Sequence, residues 1–289
     1  MTAGLIDGTA IARGVRDRVA AEVSVLKDTT GKAPGLATIL VGDDPASEVY
    51  VRNKRRLASE AGIADFHRRL PRDATQSAVA EVLFELASDP EVSGILLQLP
   101  LPSHLDGASL IDLIPALKDV DGLTTSSAGL LARGVPGLRP CTPSGVITLI
   151  ESTGTMLAGA NAVVVGRSEL VGSPMSRLLL ERDATVTTAH SHTRDLSSVT
   201  STADVLIAAA GVEGLIGVQH VLPGAVVIDV GIHRTASGLA GDVRFEEVVE
   251  VAGWLTPVPG GVGPMTIATL LSNTVAAARL QRQHDQNAS

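Results

Sequence analysis

The sequence predicts an α/β protein of two domains, each built on a parallel sheet. Three observations predict it. Apolar runs of strand length alternate with helical periodicity along nearly the whole chain, the pattern of parallel strands joined by crossover helices. With 289 residues the chain has room for two cores at about 150 residues per domain. Aromatic residues make up only 2%, so the cores must be built from Val, Leu, Ile and Ala, which buried parallel strands favour.

The elements follow in order. Ile11, Val15, Val19, Val23 and Leu26 recur at helical spacing and predict an amphipathic helix over 9–27. GLATILVG (35–42) reads as a buried strand. Asp44-Pro45 then supplies an N-cap and a proline at N1, and a helix should run to about Ala61. A strand is expected at 63–70, a helix at 75–88, a strand at GILLQL (94–99) and a helix at 107–117. Residues 118–141 have little periodicity and read as linker and loop. CTPSGV restarts helical signals, with Thr142 as cap and Pro143 at N1. Strands at 161–166, 184–189, 204–209 and 225–230 follow, with a helix at 172–182. Pro264 opens a last helix to about residue 281, and the polar tail after Arg279 is expected to fray.

Charge and cysteine usage exclude several function classes. Lys plus Arg is 23 and Asp plus Glu is 31, a net charge of −8 that argues against a nucleic-acid-binding face. Cys141 is the single cysteine, so neither an intramolecular disulfide nor a Cys-rich zinc site can form. No metal is expected, and a reducing cytoplasm fits. The opening MTAGLIDGTAIARG has no basic stretch followed by an apolar core and does not read as a signal peptide. No apolar run reaches the roughly 18 residues that span a bilayer.

Two constellations carry chemistry. In NAVVVGRSELVGSPMSRLLL an apolar strand ends at Gly166 and a helix starts near Gly172, a unit that sets backbone N–H groups and a positive helix end against a phosphate. The alternative is a packing turn. About 20 residues on, where an NAD site shows an acid for the ribose hydroxyls, the chain reads Ala189-His190-Ser191-His192-Thr193-Arg194, with no acid before Asp195. Arg167, Ser191, His192 and Arg194 offer donors to a 2′-phosphate there, which favours NADP over NAD.

The first half differs. Ser47, Tyr50 and Lys54 share one helical face. Lys54 is one of four lysines and stands among Arg52, Arg55 and Arg56; a desolvated lysine can lose its proton where an arginine cannot. It reads either as an acid–base group or as part of a solvated basic face. Gln98 is a polar residue near the carboxyl end of an apolar strand, where open α/β sheets place ligands, or else a satisfied strand-end amide. Asp119-Val120-Asp121-Gly122 is an acidic loop or a simple turn. TPVPGGVGPMT (256–266) makes a stiff yet sterically open loop before a helix, open to a planar ligand or a phosphate, or else a tight domain connection.

With these residues collected, the sequence resembles the bifunctional methylenetetrahydrofolate dehydrogenase/methenyltetrahydrofolate cyclohydrolase family. The resemblance is carried by SEVYVRNK (47–54), GILLQLPLP (94–102), KDVDG (118–122), PCTPSG (140–145), VVGRSELVGSP (164–174), VIDVGI (227–232) and PGGVGPMT (259–266), in order from about residue 5 to 280. It implies a folate-binding catalytic domain of residues 1–139 plus 265–289, a Rossmann domain of 140–264 that binds NADP, a cleft between them, a last helix returning to the first domain, and a homodimer. It implies that Tyr50 stacks on the folate, that Lys54 is the main catalytic group, that Gln98 tunes Lys54, and that Asp121 holds the pterin. Ser47, Leu99, Pro100 and the loop residues Pro259, Gly260, Gly261 and Thr266 complete the substrate site. Gly166, Arg167, Ser168, Ser191, His192 and Ile232 contact the cofactor. Implied as well are tetrahydrofolate substrates, a place in purine biosynthesis, and no membrane or nucleic-acid partner. The chain departs from the pattern at Leu123–Ser127, and at His192, His233 and Arg244, where Arg or Lys, Asn and Asp are usual. These departures bear on cofactor choice and on the balance of activities. A paralogue with one activity, another two-domain NAD(P) dehydrogenase acting on a small acid, and a non-catalytic nucleotide-binding protein are the competing readings. The Tyr50/Lys54/Gln98/Asp121 set separates the small-acid enzyme, and intact Lys54 the non-catalytic protein.

Overall fold

A computed structural model describes residues 2–236 and 238–288, with the side chains of 287 and 288 left out. In chain order the elements are β1 (Gly4–Leu5), α1 (Gly8–Thr30), β2 (Gly35–Val41), α2 (Pro45–Glu60), β3 (Ala64–Asp65), β4 (Arg68–Leu70), α3 (Gln76–Ser88), β5 (Gly94–Leu97), α4 (Gly107–Ile111), α5 (Thr125–Ala132), α6 (Cys141–Ser152), β6 (Asn161–Val165), α7 (Gly172–Leu180), β7 (Thr185–Ala189), α8 (Leu196–Thr200), β8 (Val205–Ala208), β9 (Val226–Asp229), β10 (His233–Thr235), β11 (Gly238–Ala240), α9 (Phe245–Val248), β12 (Trp254–Leu255) and α10 (Val262–Ala288). They divide into two units. Gly14–Cys141 with the chain from Thr269 on form the N-terminal unit; the residues up to Arg13 with Thr142–Ala268 form the C-terminal unit.

In the N-terminal unit β2 is central. β3 and β4 lie end to end along one edge and β5 along the other, all parallel. Every residue of β2 and β5 is buried, as a sheet covered on both faces requires. Ile39, Val79, Leu83, Leu86, Ile95 and Leu110 pack as one core. Asp44 caps α2 by accepting from the Ser47 N–H at 2.8 Å, and Pro45 opens it, as the sequence predicts. From Thr269 on, α10 belongs to this unit, where Arg279 pairs with Glu22 of α1 at 2.8 Å.

The C-terminal sheet has the order β1-β12-β9-β8-β6-β7, all parallel. From β6 the chain steps outward to β7, then crosses back to β8 on the other side. The direction of winding therefore reverses between β6 and β8, and such a reversal opens a crevice at the carboxyl ends of those two strands.

Several expectations change. Residues 2–13 lie in the C-terminal unit, because Gly4 and Leu5 pair with Trp254 and Leu255. A two-residue strand leaves no periodicity to read. The strand expected over 63–70 is broken at His67, whose Nδ1 lies 3.0 Å from the Thr38 carbonyl and 2.9 Å from its hydroxyl. The helix at 107 stops at Ile111, since Pro115 cannot continue it. The stretch 118–141 contains α5, capped by Thr124, which accepts from the Ser127 N–H at 3.1 Å. Thr142 is not a cap: α6 begins at Cys141, and the Thr142 hydroxyl bonds that of Thr266 at 3.0 Å. The last helix starts at Val262 and runs on through the tail to Ala288.

Candidate active site

The helix α2 delivers Ser47, Tyr50 and Lys54 on one face, as their spacing requires. Ser47 is buried and Lys54 is only 4% exposed. A lysine ammonium is rarely buried without partners. Lys54 has three: Nζ donates to Gln98 Oε1 at 3.1 Å, sits 4.6 Å from the Tyr50 ring centroid, and feels the Asp121 charge. Burial pulls its pKa below the ordinary lysine value, opposed by the negative charge of Asp121. The solvated basic face is therefore excluded for Lys54. Its neighbours Arg55 and Arg56 do form surface pairs, with Asp65 at 2.6 Å and Glu60 at 2.5 Å. Gln98 sits one residue past β5. Its Nε2 donates to the Leu99 carbonyl at 2.5 Å, which directs Oε1 toward the lysine. Leu99 is half-buried and Pro100 exposed.

Asp121 comes from a loop held by Asp119 and Gly122, which the sequence marks only as an acidic turn, and by Asn273, which it does not mark at all. The fully buried Asp119 carboxylate accepts from the N–H groups of Gly122 at 2.9 Å, Leu123 at 3.2 Å and Thr124 at 2.9 Å. Gly122 has φ +71°, and a Cβ there would lie 2.5 Å from Pro140 N, so the turn admits no side chain. Asn273 of α10 clamps the far side, donating to the carbonyls of Val120 at 2.9 Å and Arg139 at 2.8 Å. Burial raises the Asp121 pKa and Asp119 adds to the rise, while the Lys54 charge opposes it. Burial, with help from Asp121, pushes the Cys141 thiol well above its usual value, so it stays protonated and donates to the Val120 carbonyl at 3.1 Å. Asp119 showed one legible signal, the spacing Asp-x-x-Gly of a side-chain-stabilised turn. Asn273 showed none.

In the C-terminal unit the crevice between β6 and β8 is made of main chain. Gly166 has φ +131°, and a Cβ on it would lie 2.0 Å from the Ala209 carbonyl oxygen. A Cβ on Gly172, the first residue of α7, would lie 2.2 Å from the Gly166 oxygen. The segments thus touch through glycine alone. Ser168 Oγ accepts from the N–H groups of Val171 at 3.2 Å and Gly172 at 3.4 Å. Arg167 and Ser168 are exposed beside it. After β7 the turn 190–193 folds on itself: the Thr193 hydroxyl accepts from His190 N at 2.8 Å, and His190 Nδ1 from His192 N at 3.2 Å. Ser191, His192 and Arg194 are left exposed. Asp195, the first acid, faces α8 instead, where it accepts from Ser197 Oγ at 2.8 Å and Ser198 N at 3.3 Å. A glycine-lined crevice at a helix start, followed by cationic and hydroxyl donors and no available acid, suits a dinucleotide with a 2′-phosphate.

Ile232 is 62% exposed after β9. It rims a depression of about 460 Å³ together with Thr9, Gly231, Pro259, Gly260 and Gly261. Thr266 lies past this loop and is half-buried, with its hydroxyl on Thr142. Seven of the expected residues, Ser47, Tyr50, Lys54, Gln98, Leu99, Pro100 and Asp121, thus belong to the N-terminal unit, and the others to the C-terminal unit. Among the described residues no group of three or more His, Cys, Asp or Glu could hold a metal, and no helix is long and apolar enough to cross a membrane.

Comparison with known proteins gives concordant matches. Residues 6–121 match the model of the tetrahydrofolate dehydrogenase/cyclohydrolase catalytic domain, and residues 140–282 that of the tetrahydrofolate dehydrogenase/cyclohydrolase NAD(P)-binding domain. A bifunctional protein FolD 2 of Frankia casuarinae is 63% identical over 279 residues, 96% of this chain and 97% of that relative. The FolD methylenetetrahydrofolate dehydrogenase/cyclohydrolase of Campylobacter jejuni superposes with a TM-score of 0.94 at 42% identity, covering 96% of this chain and 99% of the other. FolD of Trypanosoma brucei, solved with NADP and an inhibitor, superposes with a TM-score of 0.92 at 36% identity, covering 97% and 99%.

Proposed function

The chain belongs to the tetrahydrofolate dehydrogenase/cyclohydrolase family, and from that premise we propose how its residues divide the work. It is an NADP-dependent enzyme that oxidises 5,10-methylenetetrahydrofolate to 5,10-methenyltetrahydrofolate and hydrolyses the product to 10-formyltetrahydrofolate. Membership displaces the small-acid dehydrogenase and the non-catalytic reading. The observation that carries the assignment of roles is the buried Lys54 ammonium held between Gln98 and Tyr50 in reach of the Asp121 charge.

NADP supplies the hydride acceptor. The step needs placement of the substrate more than a base, because the nitrogen lone pairs of the folate stabilise the cation left behind. Tyr50 provides a flat face for the folate, with Ser47, Leu99 and Pro100 beside it, and Asp121 accepts hydrogen bonds from the pterin. Hydrolysis then needs proton transfers. Lys54, whose desolvated ammonium gives up its proton more readily than an exposed one, takes a proton as water adds and returns it as the ring opens. Gln98 accepts from Nζ and fixes where that proton sits. In the C-terminal unit Gly166, Ser168 and the start of α7 receive the diphosphate, and Arg167, Ser191 and His192 the 2′-phosphate. Ile232 meets the nicotinamide end, and Pro259, Gly260, Gly261 and Thr266 line the substrate side. With residues 2–13 joined to the C-terminal unit through β1, the folate-binding catalytic domain comprises residues 14–139 plus 265–289, and the NADP-binding domain 140–264. The enzyme works as a cytoplasmic homodimer that supplies formyl units to purine biosynthesis, readings supported by the family resemblance.

The test supplies the purified protein with 5,10-methylenetetrahydrofolate and either NADP or NAD at matched concentrations below saturation. Reduced cofactor and 10-formyltetrahydrofolate both form, faster with NADP. Equal turnover with the two cofactors overturns the 2′-phosphate assignment, and a reaction that stops at the methenyl compound leaves a dehydrogenase alone. Asp121→Ala should weaken folate binding about ten- to hundredfold, the range of a lost charge-assisted hydrogen bond, with NADP binding unchanged. Equal losses for both ligands contradict the role given to Asp121.

A further inference from the structure

Two buried carboxylates lie behind the ends of β8 and β9, and the roles given above leave both without a task. Asp229 Oδ1 accepts from Gly231 N at 3.0 Å and Asp242 N at 2.9 Å, and its Oδ2 from Val243 N at 3.0 Å. Asp242, fully buried, accepts through Oδ2 from Ala210 N at 2.7 Å and Gly211 N at 2.8 Å. Glycine is enforced opposite each. A Cβ on Gly231 would lie 2.2 Å from Asp242 Oδ1, and one on Gly241 would lie 1.8 Å from Asp229 Oδ2. Asp242 Oδ1 meets His233 Nε2 at 2.8 Å. A carboxylate only accepts, so Nε2 carries the hydrogen and donates. Burial raises the Asp229 pKa to about 6.

Asp242 therefore hydrogen-bonds the turn after β8 and the first residue of β10, and packs directly against the glycine after β9. The turn after β8 continues the wall that Gly166 touches at the Ala209 carbonyl, and Gly231 leads directly into Ile232 on the rim of the depression. Removing the His233 donor leaves a buried carboxylate oxygen short of a charge-assisted hydrogen bond, a costly vacancy that loosens both segments. Resting on the NADP reading of this site, we propose that His233 is a positioning residue for the dinucleotide, acting through Asp242 on the turns after β8 and β9.

The test titrates the full chain with NADP by calorimetry. On the same samples it measures hydrolysis of 5,10-methenyltetrahydrofolate, which consumes no dinucleotide. His233→Leu removes the donor, and His233→Gln keeps an amide N–H at similar reach. The Leu variant should bind NADP about tenfold more weakly and the Gln variant within about twofold of the parent, the Leu loss being that of one charge-assisted hydrogen bond. Both should hydrolyse at the parental rate. Parental affinity in the Leu variant, or a Gln variant no better than Leu, overturns the proposal. So does a loss of hydrolysis that matches the loss of affinity, which would make His233 a general folding residue. A parent protein that binds no NADP removes instead the cofactor reading of the site, an outcome visible before any variant is made.

Discussion

In the N-terminal unit the groups proposed to meet substrate, on α2 and in the chain past β5, are side chains drawn out of water: Lys54 at 4% exposure, Gln98 at 9%, and Asp121 on a loop organised by a buried aspartate. Past β6 and β8 the site is main chain and glycine, with Arg167, Ser191 and His192 left in solvent. Both regions use the carboxyl ends of parallel strands, where helix starts and loops converge. The difference follows from the chemistry each is asked to do. Moving a proton needs a group whose pKa has been displaced, and burial displaces it. Holding a diphosphate needs N–H groups at close range and little else, so side chains are kept away. Lysine 54 and glycine 166 are thus opposite solutions, one a functional group with its water removed and the other a functional group withheld.

If the comparison holds, variants in the two regions separate cleanly. Lys54→Met keeps the length of the side chain and loses the proton. It should lower methenyltetrahydrofolate hydrolysis by about 10²–10⁴-fold, the usual worth of positioned acid–base catalysis, and leave the NADP dissociation constant unchanged. Hydrolysis at the parental rate would break the first half of the comparison. Gly166→Ala breaks the second half from the other side. With a carbonyl oxygen 2.0 Å from the new Cβ and φ at +131°, NADP affinity should fall by more than about a hundredfold, since strained φ and a main-chain clash cost several kcal/mol together. Parental affinity in a calorimetric titration would show that the crevice does not depend on glycine. Arg167→Ala sharpens the comparison at its weak end. Being exposed, the guanidinium contributes a screened contact, so NADP should weaken by about two- to fivefold while NAD is unaffected. Equal losses for both cofactors would move Arg167 from the 2′-phosphate to the part the two share.

The same contrast explains what could be read from the chain. Lys54, Gln98 and Gly166 were legible as candidates because each stands out in its run: a lysine among arginines, an amide in an apolar strand, a glycine at a strand end; Asp121 stood only in an acidic loop that read equally as a turn. The long elements were legible because their periodicity extends over several turns or a full strand. The supports were not. Asn273 sits in a long helix and works through two carbonyls more than a hundred residues away in sequence. Asp242 and Asp229 accept from main-chain N–H groups that only the folded topology brings near. The strand at Gly4–Leu5 is too short for any period, and α5 buries only Ser127 and Leu131 in its eight residues.

If Lys54 works as a desolvated amine, the pH profile of methenyltetrahydrofolate hydrolysis at saturating substrate shows it most directly. Burial disfavours the charged form of Lys54, so its proton leaves at a lower pH than from an exposed lysine, while the Asp121 charge limits the fall. Only the neutral amine accepts a proton from water. After subtraction of the uncatalysed reaction, the rate should therefore rise with pH through a value below the ordinary lysine pKa of about 10.4, and Lys54→Met should lose that limb. A rate independent of pH, or a limb of the same shape in Lys54→Met, would contradict the account.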